Sequence, residues 1–312
     1  MHTENTILNE DWETSHVCYY RIAGITLRVE SDLPITDSTF HTKFKLFQVD
    51  GPGEDNISLR HHFSLPNLDR WDLGKEIYRK PPWAIYKKDD SWAYLGISSI
   101  PENKHVHQFA LFNYDHTKGS VYNRWEKTFL EGNLHSLTLF PTDQILLARV
   151  LADRGGCYFH SSGMTLDGEG ILFLGHSGSG KSTVATIMRD RANILCDDRM
   201  IVRRWEDGFR IHGNWSHGDI SEVSANSASL RAIMFIQQAK ENQLIPIDNK
   251  PKTIRKLLSC LIRPLITSDW WEKMLTLVGK IACEVPCYHL YFDRSGKIVD
   301  ILADEFIFRK DH

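Results

Sequence analysis

The stretch ILFLGHSGSGKSTVATIMRD, residues 171–190, decides the fold. Its first four residues, Ile171 to Leu174, are apolar and read as a buried strand. Gly175, Gly180, Lys181 and Ser182 then fill the fixed places of the pattern G-x-x-x-x-G-K-[ST], and Val184, Ile187 and Met188 give the next segment an apolar face at helical spacing. Strand, glycine loop and helix in this order make a phosphate cradle. Gly175, Gly178 and Gly180 allow backbone conformations that a β-carbon forbids, so consecutive N–H groups turn inward toward an anion, and the helix adds the positive end of its dipole. The residues expected on a nucleotide are Gly175, Ser177, Gly178, Ser179, Gly180, Lys181, Ser182 and Thr183. Lys181 is expected along the β and γ phosphates, and the Ser182 hydroxyl on a magnesium ion.

Working outward, Cys157 to Leu166 reads as a strand joined to the cradle strand by the tight turn Asp167-Gly168-Glu169-Gly170. Before it, Thr142 can cap a helix whose buried face uses Ile145, Leu146, Val150 and Leu151, and Gly155 and Gly156 stop it. The character of the chain changes at Pro141, which predicts two domains, 1–140 and 141–312. The first is expected to be β-rich and the smaller of the two. Val17 to Glu30 reads as strands bent at Gly24, followed by loop with a short strand near Phe44 to Val49. Residues 77–98 and 107–125 read as hairpins turning at Asp89-Asp90 and Lys118-Gly119, and Trp83, Trp92 and Trp125 are expected in the core. After the cradle helix come a short strand Asn193 to Cys196, a hairpin from Met200 to His212, the loop GNWSHG (213–218), a strand from Leu230 to Gln237, helices between Asn249 and Cys283, and a last strand near Tyr288 to Phe292. The basic run from Lys250 to Lys256 reads as a solvated helix start.

The short strand ends in Asp197-Asp198, the place where a nucleotide fold presents acids to a metal. One carboxylate can hold magnesium, directly or through water; the other can accept a proton from an attacking hydroxyl. Residue spacing leaves open which does which. His160, in the strand before the cradle, is a further candidate, although a lone strand histidine is more often structural.

Composition narrows the partners. Lys+Arg 37 against Asp+Glu 40 gives a formal net charge of -3, and no basic face gathers, so nucleic acid is not an expected partner. No apolar run reaches the length of a membrane span, and the opening lacks a signal peptide's basic start and apolar core, which predicts a cytoplasmic protein with no membrane partner. Six scattered cysteines form no C-x-x-C pair; Cys283 and Cys287, separated by Pro286, are expected to be buried free thiols.

The order HSSGMTLDGEGILFLGHSGSGKST, LCDDRMIVRR, GFRIHGNWSHG resembles the catalytic domain of HPr kinase/phosphorylase and its homologues. The opening YYRIAGITLRVESDLPI is similar to the start of the HPr-kinase-like proteins that phosphorylate a serine at the C-terminus of lasso-peptide precursors. The fold so implied is α/β: a P-loop, HPr-kinase-like catalytic domain beside an N-terminal domain that is β-rich with an α+β part. The resemblance implies an ATP-dependent phosphotransferase with ATP and magnesium as cosubstrates. Lys181 and Ser182 then lie on phosphate and metal, Asp197 on the metal, Asp198 as the base, and His160 beside the transferred group. His217, in the Trp-x-His-Gly stretch, is similar to a histidine-bearing loop of the homologues and is expected to face the acceptor. The chain departs from HPr kinases proper at Thr183, where they carry a glutamate, and in lacking their C-terminal signature rich in Arg, Pro, Gly and Asn, so neither HPr nor the reverse phosphorylase reaction is implied. The expected partner is a precursor peptide or a small hydroxyl substrate such as free serine, with a non-catalytic nucleotide-dependent regulator as the alternative class; a homo-oligomer is compatible with either.

Overall fold

The computed structural model describes residues 15–98, 106–138, 143–264 and 267–306. The chain divides into two compact units. Met1–Tyr20, Thr26–Thr42 and Gln48–Phe140 make the first; Arg21–Ile25, Lys43–Phe47 and Pro141–His312 make the second. Two short N-terminal segments therefore belong with the C-terminal half, which a single division at residue 141 does not anticipate. Pro141 and Thr142, the expected boundary and helix cap, lie outside the described residues.

In the first unit the strands are β1 (Ser15–Ile22), β2 (Ile25–Ile35), β3 (Gln48–Val49), β4 (Asp55–His62), β5 (Lys75–Lys80), β6 (Trp83–Lys88), β7 (Ser91–Ile97), β8 (Val106–Asn113) and β9 (Lys118–Asn123), with one short helix, α1 (Lys127–Glu131). They form a single sheet in the order β3-β1-β2-β4-β9-β8-β7-β6-β5. Alternation drives it: Ile25, Leu27 and Val29 of β2 are fully buried, as are Ile57 and Leu59 of β4. The strand expected near Phe44 to Val49 is mostly a 3-10 turn, Thr42–Phe47, with only β3 pairing. Phe44 and Phe47, three apart, share one side of that turn, and both are buried. The β8–β9 hairpin turns ahead of Lys118-Gly119, where the Asp115 carboxylate accepts the Thr117 N–H at 3.1 Å. Trp92 is core, Trp83 is half-buried, and Trp125 is 61% exposed with the Arg124 guanidinium over its ring, contrary to its expected burial.

The second unit contains β10 (Gly156–Leu166), β11 (Glu169–Leu174), β12 (Asn193–Cys196), β13 (Arg199–Trp205), β14 (Gly208–His212), β15 (Ser227–Gln238), β16 (Gln243–Pro246) and β17 (Cys287–Phe292). Its helices are α2 (Asp143–Ala152), α3 (Lys181–Met188), α4 (Lys250–Cys260), α5 (Ser268–Glu284) and α6 (Ile298–Phe306). The spine is the parallel trio β11, β15 and β17, and it is apolar on both faces, as a strand covered on both sides must be. Leu172, Leu174, Ile233 and Phe235 face a core shared with α4 and α5. Ile171, Phe173, Ala232, Met234 and Ile236 face the opposite core with α3 and α6. The result is mixed α/β. Neither β16 nor α6 is anticipated from sequence, although Ile298, Leu302 and Phe306 are all buried at a four-residue spacing.

The long strand β10 organises the unit by changing partners midway. Gly156 to His160 pair with β13, whereas Ser161 to Leu166 pair with β11. The turn to β11 uses only Asp167 and Gly168, both at positive φ, so Glu169 and Gly170 already belong to the strand. Because β15 pairs with both β14 and β11, the strands β11-β10-β13-β14-β15 close on themselves. The partner change falls between His160 and Ser161, which opens the layers at the point where Asp197 and Asp198 leave β12.

Four of the six cysteines, Cys157, Cys196, Cys260 and Cys287, are buried, Cys18 is half-buried, and all six are free thiols. Cys283 is exposed, against expectation, because it falls on the outer side of the last turn of α5. Among the described residues no helix is long and apolar enough to cross a membrane.

Candidate active site

The loop 175–180 joins β11 to α3 and floors a cavity of about 390 Å³. Its backbone explains its glycines. Gly180 caps α3 at φ 100, and a β-carbon there would stand 2.6 Å from the Phe292 ring and 2.9 Å from the Gln238 amide nitrogen. At Gly175 a β-carbon would lie 2.2 Å from the Ser179 hydroxyl. That hydroxyl is itself buried with no hydrogen-bond partner among the described residues, a spare donor inside the loop. Lys181 is 8% exposed, and its ammonium donates to the carbonyls of Gly175 at 3.0 Å and His176 at 3.2 Å. Burial pulls its pKa below the usual lysine value.

Asp197 and Asp198, adjacent in sequence, occupy different environments. Asp197 is 3% exposed and accepts hydrogen bonds on both oxygens: from the Ser162 hydroxyl at 2.8 Å on one, and from the Ser182 hydroxyl at 3.0 Å and the Ile220 N–H at 3.1 Å on the other. Ser182 thus gives its proton to Asp197, which leaves its oxygen lone pairs free for a cation. Asp198 is more open, with one oxygen 3.2 Å from His160 Nδ1 and the other 3.2 Å from the Arg199 guanidinium. Burial and the Lys181 ammonium lower the pKa of His160, so the neutral imidazole is favoured beside Asp198. The Ser161 N–H donates to the Asp198 carbonyl at 3.0 Å and fixes the pair against β10.

The cavity brings together most of the residues expected from sequence: His160, Ser177, Gly178, Gly180, Lys181, Ser182, Thr183, Asp197 and Asp198 all line it. Gly175 and Ser179 shape the loop from beneath without lining the cavity. His217 does not line it; its Nδ1 turns 3.1 Å from the carbonyl of its neighbour Gly218. The same loop instead contributes Gly218 and Asp219, the latter with a carboxylate oxygen 3.4 Å from the Ser182 hydroxyl. Sequence reading also missed Gln238, at the end of β15, and Ser162. Asp219 follows Gly218 directly, and a glycine-acid pair closing a loop is the one local signal that could have found it.

Gly218 itself has a reason to be small, since a β-carbon there would come 3.2 Å from that of Asp198. Its loop is held from behind by Trp215, 1% exposed, which packs against Phe44 and Phe47 at ring-centroid distances of 5.3 and 5.1 Å. The Asn214 side chain adds a bond to the Arg199 carbonyl.

The residues present fit a magnesium–phosphate group. Hydroxyl and carboxylate oxygens from Ser182, Asp197 and Asp219 are the hard donors that magnesium prefers, and the glycine loop with Lys181 supplies donors for phosphate oxygens.

Fold and site define a mixed α/β protein with a strand, glycine loop and helix facing an acidic pair. Residues 139–304 match the family described as SynChlorMet cassette protein ScmC, and the chain belongs to that family. Among solved structures the chain is similar to the Hpr(Ser) kinase/phosphatase from Coxiella burnetii, at 15% identity over 46% of this chain and 90% of that one, with a TM-score of 0.26. No curated protein matches it.

Proposed function

We propose that the protein is an ATP-dependent kinase that transfers the γ-phosphoryl group to a serine hydroxyl, the acceptor being the C-terminal serine of a lasso-peptide precursor. The observation that carries the transfer is one cavity in which Lys181, Ser182, Asp197, Asp198 and His160 converge, with the two carboxylates in unlike environments. The acceptor rests on the resemblance of residues 19–35 to the proteins that modify such precursors.

Magnesium, when bound, neutralises phosphate charge, and Ser182 with Asp197 and Asp219 would hold it. Asp198, paired with Arg199 and oriented by His160, takes the proton of the acceptor hydroxyl while that oxygen bonds to phosphorus. Lys181 balances the electron pair left on the bridging oxygen as its bond to the same phosphorus breaks. Asp197 orients the Ser182 hydroxyl throughout.

The full chain incubated with ATP, magnesium and a peptide ending in serine should yield peptide heavier by one phosphate. Transfer to free serine but not to peptide would move the acceptor to the small-metabolite class. ATP-dependent transfer to neither would remove the kinase reading.

A further inference from the structure

A second cavity, about 590 Å³, opens along the outer face of α3 and shares Ser182, Thr183 and Asp219 with the first. His160, Lys181, Asp197 and Asp198 line only the first. In a glycine loop of this kind the lysine reaches the β and γ phosphates while the loop and helix start hold α and β. Lys181 and Asp198 therefore mark the reacting end, and the remote end of the donor leaves past Thr183, whose N–H in the first helical turn has no partner within the helix.

What it enters has a definite chemistry. Ile187 and Thr186 give a partly apolar wall on α3, and the Arg189 guanidinium is paired with Glu222 at 2.5 Å. Arg294 lines the same space and has no ion pair or side-chain hydrogen bond among the described residues. Its backbone is nonetheless held: the preceding Asp293 carboxylate accepts from the Ser295 N–H and hydroxyl at 2.9 and 2.6 Å and from the Asn242 amide at 2.9 Å, and its N–H donates to Asn242. An anchored turn thus brings an uncommitted guanidinium to the cavity that Ile187 also lines. A planar cation and an apolar side chain lining one cavity suit an aromatic base, which a guanidinium can cover face to face.

We infer that the second cavity receives the nucleoside of the donor, with Arg294 gripping the base over α3. This rests on the nucleotide reading of the first cavity and extends it to a separate set of residues. Calorimetric titration of the full chain with magnesium–ATP and with magnesium–tripolyphosphate tests it, because the second probe has phosphates but no nucleoside. Arg294→Ala should weaken ATP about ten-fold or more and leave tripolyphosphate unchanged. Thr186→Trp, on the exposed face of α3, should fill the cavity and exclude ATP alone. Lys181→Ala should weaken both probes. If Arg294→Ala and Thr186→Trp leave ATP binding as it was, or weaken both probes equally, the nucleoside assignment is overturned while the phosphate site stands. If the unmodified protein binds neither probe, the nucleotide reading beneath it fails.

Discussion

At the residue scale the proposed reaction divides structure from chemistry between the two aspartates. Asp198→Asn keeps the shape and loses the proton acceptor, so transfer should be abolished while the unfolding midpoint moves by less than about 0.5 kcal/mol equivalent. Asp197→Ala leaves the buried Ile220 N–H without its acceptor and the Ser162 hydroxyl with only the carbonyl of residue 197, and denaturant titration should show a loss of about 1–3 kcal/mol as well as lost activity. Near-normal turnover in Asp198→Asn would refute its role as base. Two histidines outside the cavity set an acid limit. His61 is fully buried, with Nε2 2.8 Å from the Leu137 carbonyl, and burial brings its pKa to about 4. His212 accepts the Trp205 indole N–H at 3.1 Å and is likewise lowered to about 4, first by burial and then by Arg203 and Arg210. In the unfolded chain both titrate near ~6.5. The unfolded state thus binds more protons across this window, so stability is complete above pH ~6.5 and falls as pH drops toward 4, by up to about 3 kcal/mol per histidine. Urea midpoints measured between pH 7 and 4 should show this slope, and His212→Asn should make it shallower.

At the element scale the cradle depends on one backbone torsion. Gly180→Ala asks an L-residue to sit at φ 100 and drives its β-carbon toward Phe292 and Gln238. The predicted result is a displaced start of α3, with magnesium–ATP binding lost and the far-UV spectrum retained. Retained ATP affinity would mean that the loop tolerates another path. This element was legible because all its parts lie within twenty consecutive residues, so local pattern alone defines it. The short strand ending in Asp197-Asp198 was legible for the same reason. Asp219 and Gln238 were not, since their place beside Ser182 and Gly180 follows from how the loop after β14 folds back and where β15 ends; Gln238 has no local signature, and Asp219 only that of following Gly218. His217, expected toward the acceptor by resemblance to a histidine-bearing loop, lies two residues before Asp219, and of the two only Asp219 lines this cavity. The 3-10 turn Thr42–Phe47 overlaps the strand expected near Phe44 to Val49, because two phenylalanines three apart carry little information about period.

At the scale of the whole molecule the second unit is assembled from three separate parts of the chain. Phe44, 1% exposed, is a core residue of a unit whose main part begins only at Pro141, and this could not be read from a boundary placed there. Phe44→Ala should cost about 3–5 kcal/mol. It should also raise the KM for the acceptor or donor more than a generic core cavity would, because Trp215 loses its backing and the loop bearing Gly218 and Asp219 loosens. A control truncation of similar burial, Trp270→Ala against α2, should lower stability with less effect on KM.

The pair Phe44 and Phe47 also orders events during synthesis. They leave the ribosome long before Trp215 exists, so the growing chain must keep two large apolar rings from other partners until the loop they cover has been made. A gene fragment opening at codon 141, or a shuffled protein that takes the C-terminal half from elsewhere, would inherit the glycine loop and both aspartates yet lack the backing of the loop that bears Gly218 and Asp219. In this chain, recombination is limited less by the conspicuous motif than by five residues near the start that carry no motif.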